Sequence, residues 1–72
     1  MATYRLMARI SLTGPREHQV VVSAIPDDLG SVEVRRDTVP TLAEAELRRD
    51  YLLMSLATEL SARGHTIAGA EL

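Results

Sequence analysis

The chain has 72 residues, a formal net charge of −2, 46% hydrophobic residues and no cysteine. This length allows one small domain, residues 1–72, with a thin core. The hydrophobic content excludes intrinsic disorder, and the lack of cysteine excludes disulfides and zinc–thiolate clusters as supports. Oligomerisation is one of the few remaining ways to bury more surface, so we expect a homodimer.

The acidic charge balance argues against a dedicated nucleic-acid-binding protein, which usually carries a basic excess. No apolar run approaches the roughly 20 residues of a membrane span, and the N-terminus leads into no secretory signal. We therefore expect a cytoplasmic protein with no membrane partner. All eight basic residues are arginine, and Lys, Asn, Phe and Trp are absent. Lys, Asn and Phe are encoded by AT-rich codons and Arg by GC-rich ones, so this composition indicates a GC-rich bacterial or phage genome.

The first half of the chain predicts three strands. Residues 3–12 alternate apolar and polar side chains, the period of a half-buried strand. A Gly-Pro turn over 13–17 joins it to a β-branched strand over 18–25, which predicts an antiparallel hairpin. Residues 26–30 break the ladder, residues 31–36 alternate again as a third strand, and residues 37–40 form a short connection.

A single helix is predicted over residues 42–63. Thr41 and Glu44 have the spacing of a capping box, in which each side chain bonds the other's backbone N–H. Gly64 stands where a helix commonly ends on a left-handed residue. Two carboxylates precede an arginine by four residues, which favours intrahelical ion pairs: Glu44 with Arg48, and Glu59 with Arg63.

A fourth strand is predicted over residues 65–72. The fold class is then α+β with the order β-β-β-α-β, an antiparallel sheet with one helix packed on one face. Apolar residues at helical spacing are expected to cover the sheet: Leu42, Ala45, Leu52, Leu53, Leu56 and Leu60. The matching residues of the first strand are Tyr4, Leu6, Ala8, Ile10 and Leu12.

Two surfaces are candidates for binding a partner. Leu47, Tyr51 and Met54 form a second apolar stripe on the helix, nearly opposite the first. Arg5, Met7 and Arg9 lie on the sheet face that a single helix leaves open, together with Thr3, Ser11, Gln19, Val21 and Ser23. Both surfaces are also compatible with ordinary solvent exposure, since scattered exposed apolar residues are normal. A Tyr and a Met are typical of interfaces, and arginines suit carboxylates or phosphates.

Residue patterns for catalysis are missing. His18 lies near a turn and His65 beside a glycine, and neither has the i, i+4 spacing of a metal pair on a helix. Asp27 and Asp28 follow a proline, where aspartate favours local hydrogen bonds. There is no phosphate-binding glycine loop and no nucleophile elbow. We predict no catalytic residue, no metal site and no cofactor, and therefore a protein that is not an enzyme.

Five stretches between His18 and Ile67 follow one another in a characteristic order: residues 20–25 as a strand, Pro-Asp-Asp-Leu-Gly over 26–30, Asp-Thr at 37–38, Thr-Leu-Ala-Glu-Ala opening the helix at 41–45, and Ala-Arg-Gly-His-Thr-Ile over 62–67. Together they resemble the N-terminal domain of HicB-type antitoxins. This chain departs from the family pattern at three places. The family loop has Pro and then Gly after its Leu, whereas here Asp28 precedes Leu29. The aromatic residues that precede Pro-Asp in the family are absent here, and Arg36 stands where the family has Gly. Family members often continue into a DNA-binding domain, whereas this sequence stops at Leu72.

The resemblance implies the same element order and a module that neutralises a small RNA-cleaving toxin. More generally, we expect a non-catalytic protein-interaction module that binds and regulates a partner protein, either as a HicB-like antitoxin or as a phage or bacterial inhibitor of a host protein. The alternative is a small nucleic-acid-binding regulator that uses the open sheet face, with Arg5, Arg9, Arg35 and Arg36 as phosphate contacts.

Overall fold

A computed structural model describes residues 1–71, so Leu72, the last residue of the predicted fourth strand, lies outside the described residues. The predicted order β-β-β-α-β is confirmed. The elements are β1 (Thr3–Gly14), β2 (Glu17–Pro26), β3 (Glu33–Val39), α1 (Leu42–Ala62) and β4 (Thr66–Glu71). No helix within residues 1–71 is both long and apolar enough to span a membrane.

The four strands form one sheet in the order β3-β2-β1-β4. β1 pairs antiparallel with β2, and β2 with β3, but β4 runs parallel to β1. The sheet is therefore mixed, rather than antiparallel throughout as predicted. The reason is the helix: α1 returns the chain to the end of the sheet where β3 began, so β4 repeats the direction of β3, which is also that of β1.

β1 and β2 are longer than the alternation predicted, whereas β3 begins only at Glu33, so residues 31–32 lie outside it, and β4 begins at Thr66, one residue later than predicted. The hairpin ladder continues to the pair Gly14–Glu17, with an irregularity after Leu12 and a tight turn in which Arg16 has φ of 56°. Residues 37–39, expected as a connection, belong to β3 and pair with β2. The Asp-Thr sequence is thus held by the neighbouring strand's backbone, which local propensity does not reveal.

Both ends of α1 have the expected capping residues, but only the Thr41 half of the predicted capping box forms within residues 1–71. The Thr41 side chain accepts a hydrogen bond from the N–H of Glu44 at 3.2 Å. At the other end Gly64 has φ of 86°, and its N–H donates to the carbonyl of Ser61. The next N–H, of His65, donates to the carbonyl of Leu60. These two bonds form a Schellman motif, which stops the helix and starts the chain toward β4.

The core lies between α1 and one face of the sheet. Its fully buried large side chains are Leu56 and Leu60 of the helix and Val20 and Val22 of β2. Tyr4, Leu6, Ala24 and Ala45 complete it, and Leu52 and Leu53 pack against it partly buried. The helix face and the alternation of β1 are confirmed, because these residues meet as their spacing requires.

Two residues predicted for this core are exposed. Leu12 has 70% of its surface exposed and Leu42 has 54%. Leu12 lies beside the hairpin turn, at a corner of the sheet outside the hydrophobic cluster that α1 covers, and Leu42 is the first residue of the helix.

Candidate functional site

The apolar stripe on the outer side of α1 is the first candidate site. Leu47, Tyr51 and Met54 are exposed by 72%, 60% and 72% of their surfaces. They stand on a helix whose opposite side is locked into the core by Leu56 and Leu60. Three large apolar side chains are therefore displayed at fixed i, i+4, i+7 spacing, as sequence predicted.

Charged residues hold the edge of this stripe in place. Arg48 makes an ion pair of 3.0 Å with Asp37 on β3, and its guanidinium lies 5.6 Å from the centre of the Tyr51 ring. The Arg48 side chain thus bridges the edge strand and the aromatic ring. An open groove of about 500 Å³ follows this edge, lined by Val39, Glu44, Leu47, Arg48 and Tyr51.

The arginine partners differ from those predicted. Within residues 1–71, Arg48, Glu59 and Arg63 pair across to β3 instead of with each other or with Glu44, whereas Arg49 pairs with its helix neighbour Asp50 at 3.1 Å. Charged side chains at alternate positions of β3 face α1 in three pairs: Asp37–Arg48 at 3.0 Å, Arg35–Glu59 at 2.6 Å and Glu33–Arg63 at 3.4 Å. The predicted intrahelical pairs are therefore replaced. These ion pairs anchor the helix over an edge strand that contributes little apolar surface.

The open face of the sheet is the second candidate site. Arg5, Met7 and Arg9 are exposed on the side away from the helix, as predicted from strand alternation. The β2 residues opposite them in the ladder are Ile25, Ser23 and Val21, and the β3 residues next to Val21 and Ser23 are Arg36 and Val34. A shallow depression of about 320 Å³ lies here, lined by Met7, Ala8, Arg9, Val21, Ser23 and Ile25.

The charge on this face comes from three arginines. Arg5, Arg9 and Arg36 make no ion pair within the described part of the chain. Arg35, expected beside Arg36 as a phosphate contact, faces the helix instead and pairs with Glu59. The face is therefore aliphatic at its centre and positive around it; Arg36 lies on it as expected for a phosphate contact, and Val34 is a member that the predicted site omitted. The alternating pattern of β3 divides its side chains between two faces, but it does not indicate which of the two faces packs against the helix.

His65, Asp27 and Asp28 make hydrogen bonds to the protein's own backbone. His65 Nδ1 accepts a hydrogen bond from the N–H of Ala2 at 3.0 Å, and its ring meets that of Tyr4 edge-on at 5.0 Å. Asp27 accepts from the N–H of Thr3, and Asp28 from that of Gly30. His18 has a buried Nδ1 without a hydrogen-bond partner. Among residues 1–71, no three His, Cys, Asp or Glu side chains cluster closely enough to hold a metal ion.

Comparison with protein-family models, curated proteins and solved structures found no match to this chain.

Proposed function

We propose that the chain is a non-catalytic protein-interaction module that binds and regulates a partner protein through the stripe Leu47, Tyr51 and Met54. The observation that carries the proposal is the exposure of these three large side chains on the side of α1 away from its core. Clustered exposed apolar residues commonly mark an interface.

The chemistry of the stripe suits a protein partner. Tyrosine supplies a large ring at low entropic cost and methionine adapts to irregular surfaces, and both are enriched where proteins meet. The i, i+4, i+7 spacing is that of a helix face that enters a groove. The ion pair of Arg48 with Asp37 lies beside Tyr51 and adds a charged rim to the apolar stripe.

The resemblance to HicB-type antitoxins supplies one concrete partner, a small RNA-cleaving toxin. A host protein inhibited by a phage or bacterial regulator is the other. We include a homodimer acting in the cytoplasm in this proposal, because a thin core without cysteine gains stability from burial between subunits.

Site-specific photo-crosslinking in the host cell tests the stripe. A benzophenone amino acid at Met54 should give an adduct of defined mass with one protein. The same group at Leu29, a fully exposed residue in the β2–β3 loop, should not give that adduct. Tyr51→Asp should weaken binding of the captured protein, because it places a charge in an apolar contact. Equal adducts from both positions, or none from Met54, would contradict the proposal.

A nucleic-acid-binding regulator is the second candidate, favoured by the three arginines on the open sheet face. The face has no aromatic side chain for base stacking, and the chain's net charge is −2, so this candidate ranks second. Fluorescence anisotropy with a labelled DNA duplex decides it. Three phosphate contacts predict a log–log salt slope of about −2.7. Arg9→Ala should reduce that slope and Arg16→Ala, in the hairpin turn, should not.

A further inference from the structure

The three free edges of the sheet differ in how they are protected. On the outer edge of β3, the N–H of Thr38 donates to Asp37 Oδ1 at 2.8 Å, and the carbonyl of Val34 accepts from Arg35 Nη1 at 3.0 Å. Side chains thus occupy backbone groups that another strand would need. β4 is short and irregular in its pairing between Ile67 and Gly69. Both features discourage strand addition.

The third edge belongs to the second half of β1 and has no such protection. Within residues 1–71, β4 pairs only with Thr3–Met7 of this strand. The N–H and C=O of Thr3 bond Asp27 on the β2 side, while the C=O of Ala2 accepts from Thr66 on the β4 side. Backbone groups alternate sides along a strand. Those of residues 8, 10 and 12 therefore point outward, past the end of the described β4.

The same corner also lacks cover from the helix. Leu12 is 70% exposed on the sheet face that α1 packs against, and Ile10 is partly buried beside it. The corner therefore combines a free strand edge with an exposed apolar side chain, and strand alternation places that side chain on the same face as the core. The two features together favour an occupant that is itself a strand with apolar residues on one side.

We propose that this corner is covered by β1 of a second copy, which runs antiparallel to the first about a two-fold axis at Ser11. The segment between the end of the β4 pairing and the hairpin turn is residues 8–14, and its centre is residue 11. This pairing places Ile10 opposite Leu12 of the second copy, and Arg9 opposite Thr13. Apolar residues meet on the helix side and no like charges face each other, so the edge is complementary to itself.

The resulting dimer has one continuous sheet of eight strands. Because the axis is perpendicular to the sheet, both helices lie on the same side and both stripes stay exposed. Packing the two open faces against each other is disfavoured, because it would bring Arg5, Arg9 and Arg36 of each copy into one layer about 10 Å thick. The proposal rests on the homodimer of the proposed function and assigns its contact surface.

Cysteine substitution tests the axis directly, since the natural chain contains no cysteine. Ser11 directs its backbone groups toward β2, so the proposed Ser11–Ser11 contact is a non-hydrogen-bonded pair with Cα atoms about 4.5 Å apart. That distance permits a disulfide. Under mild oxidation, Ser11→Cys should form a covalent dimer roughly tenfold faster than Leu29→Cys, because pairing raises the local thiol concentration.

Rival contacts have their own variants. Preferential cross-linking of Met54→Cys would place the dimer contact on the helix, and preferential cross-linking of Thr38→Cys would place it on the β3 edge. Either result would overturn the proposed contact at the β1 edge while still supporting a homodimer. Sedimentation across a concentration series is the second measurement. A mass that stays at 7.9 kDa throughout overturns both the edge and the homodimer.

A charge at the corner separates this proposal from the helix stripe. Leu12→Lys should weaken dimerisation roughly tenfold or more, since a lysine at a free edge opposes strand addition. Leu29→Lys should leave the dimer unchanged. Circular dichroism should report the same helix content for both, because both side chains project into solvent. Photo-crosslinking from Met54 should be unaffected by Leu12→Lys. The proposal about the partner-binding stripe and the proposal about the dimer edge can therefore be disproved independently. Unchanged dimerisation of a folded Leu12→Lys variant would contradict the edge.

Discussion

Arg35 Nη2 on the edge strand donates to Glu59 Oε2 on the helix at 2.6 Å, the shortest of the contacts that join β3 to α1. The pair lies at the surface, with side-chain exposures of 36% and 52%. Glu33 is 3.8 Å from the same arginine and 3.4 Å from Arg63, so the pair belongs to a small network. The network joins Glu33 and Arg35, which lie on the helix side of β3, to two residues of α1 and its C-cap.

The first prediction concerns the energy of that pair. A double-mutant cycle with Arg35→Ala and Glu59→Ala should give a coupling energy of about 0.5 kcal/mol, because both side chains remain hydrated. Urea unfolding of the four proteins measures it. The coupling should decrease at 1 M salt, where the Debye length is about 3 Å. A coupling that salt does not change would indicate that the contact is not electrostatic.

The second prediction concerns the core. Leu56→Ala should lower the free energy of unfolding by about 2–5 kcal/mol, since Leu56 is completely buried between the helix and β2. So large a loss threatens a domain of this size. Leu47→Ala on the same helix is the matched control and should change stability by less than about 0.5 kcal/mol. Equal losses for the two leucines, in thermal unfolding, would show that the core face is wrongly assigned.

The third prediction concerns the glycine that ends the helix. A Cβ at Gly64 meets no atom within 4 Å, so the cost of Gly64→Ala comes only from the φ of 86°. That cost should be about 1 kcal/mol. Gly64→Asn should cost less, since asparagine adopts this conformation more readily. Gly69→Ala has similar free space and no positive φ, and should cost nothing measurable by thermal unfolding.

The fourth prediction concerns His65. His65→Phe keeps an aromatic ring for Tyr4 but removes the acceptor for the N–H of Ala2, so it should destabilise by about 1 kcal/mol. Hydrogen exchange at the Ala2 amide should accelerate, because its bond partner is lost. His65→Asn provides an oxygen acceptor and should restore part of the protection. Unchanged exchange in His65→Phe would show that the hydrogen bond contributes little.

Local patterns predicted the parts of the fold that depend on neighbours in sequence. The alternation of Tyr4, Arg5 and Leu6 assigned opposite faces of β1, because successive side chains of a strand point to opposite sides. Thr41 and Gly64 located the ends of α1, because capping is a contact within a few residues. Leu47, Tyr51 and Met54 were predicted to be exposed for the same reason, as their angle around the helix follows from spacing alone.

Contacts between distant residues were decided by the tertiary structure. The direction of β4 depends on where α1 returns the chain, and the exposure of Leu12 depends on which part of β1 the helix covers. Glu59 has a suitable arginine four residues away in Arg63, yet it pairs with Arg35 across the fold. Residue patterns alone thus predicted the strand alternation, the two faces of β1 and the ends of the helix. Three features depend on the packing of the helix on the sheet: the orientation of β3, the charge pairing and the uncovered corner of β1. They arise from contacts between segments that are distant in sequence, and neither segment alone has those contact energies.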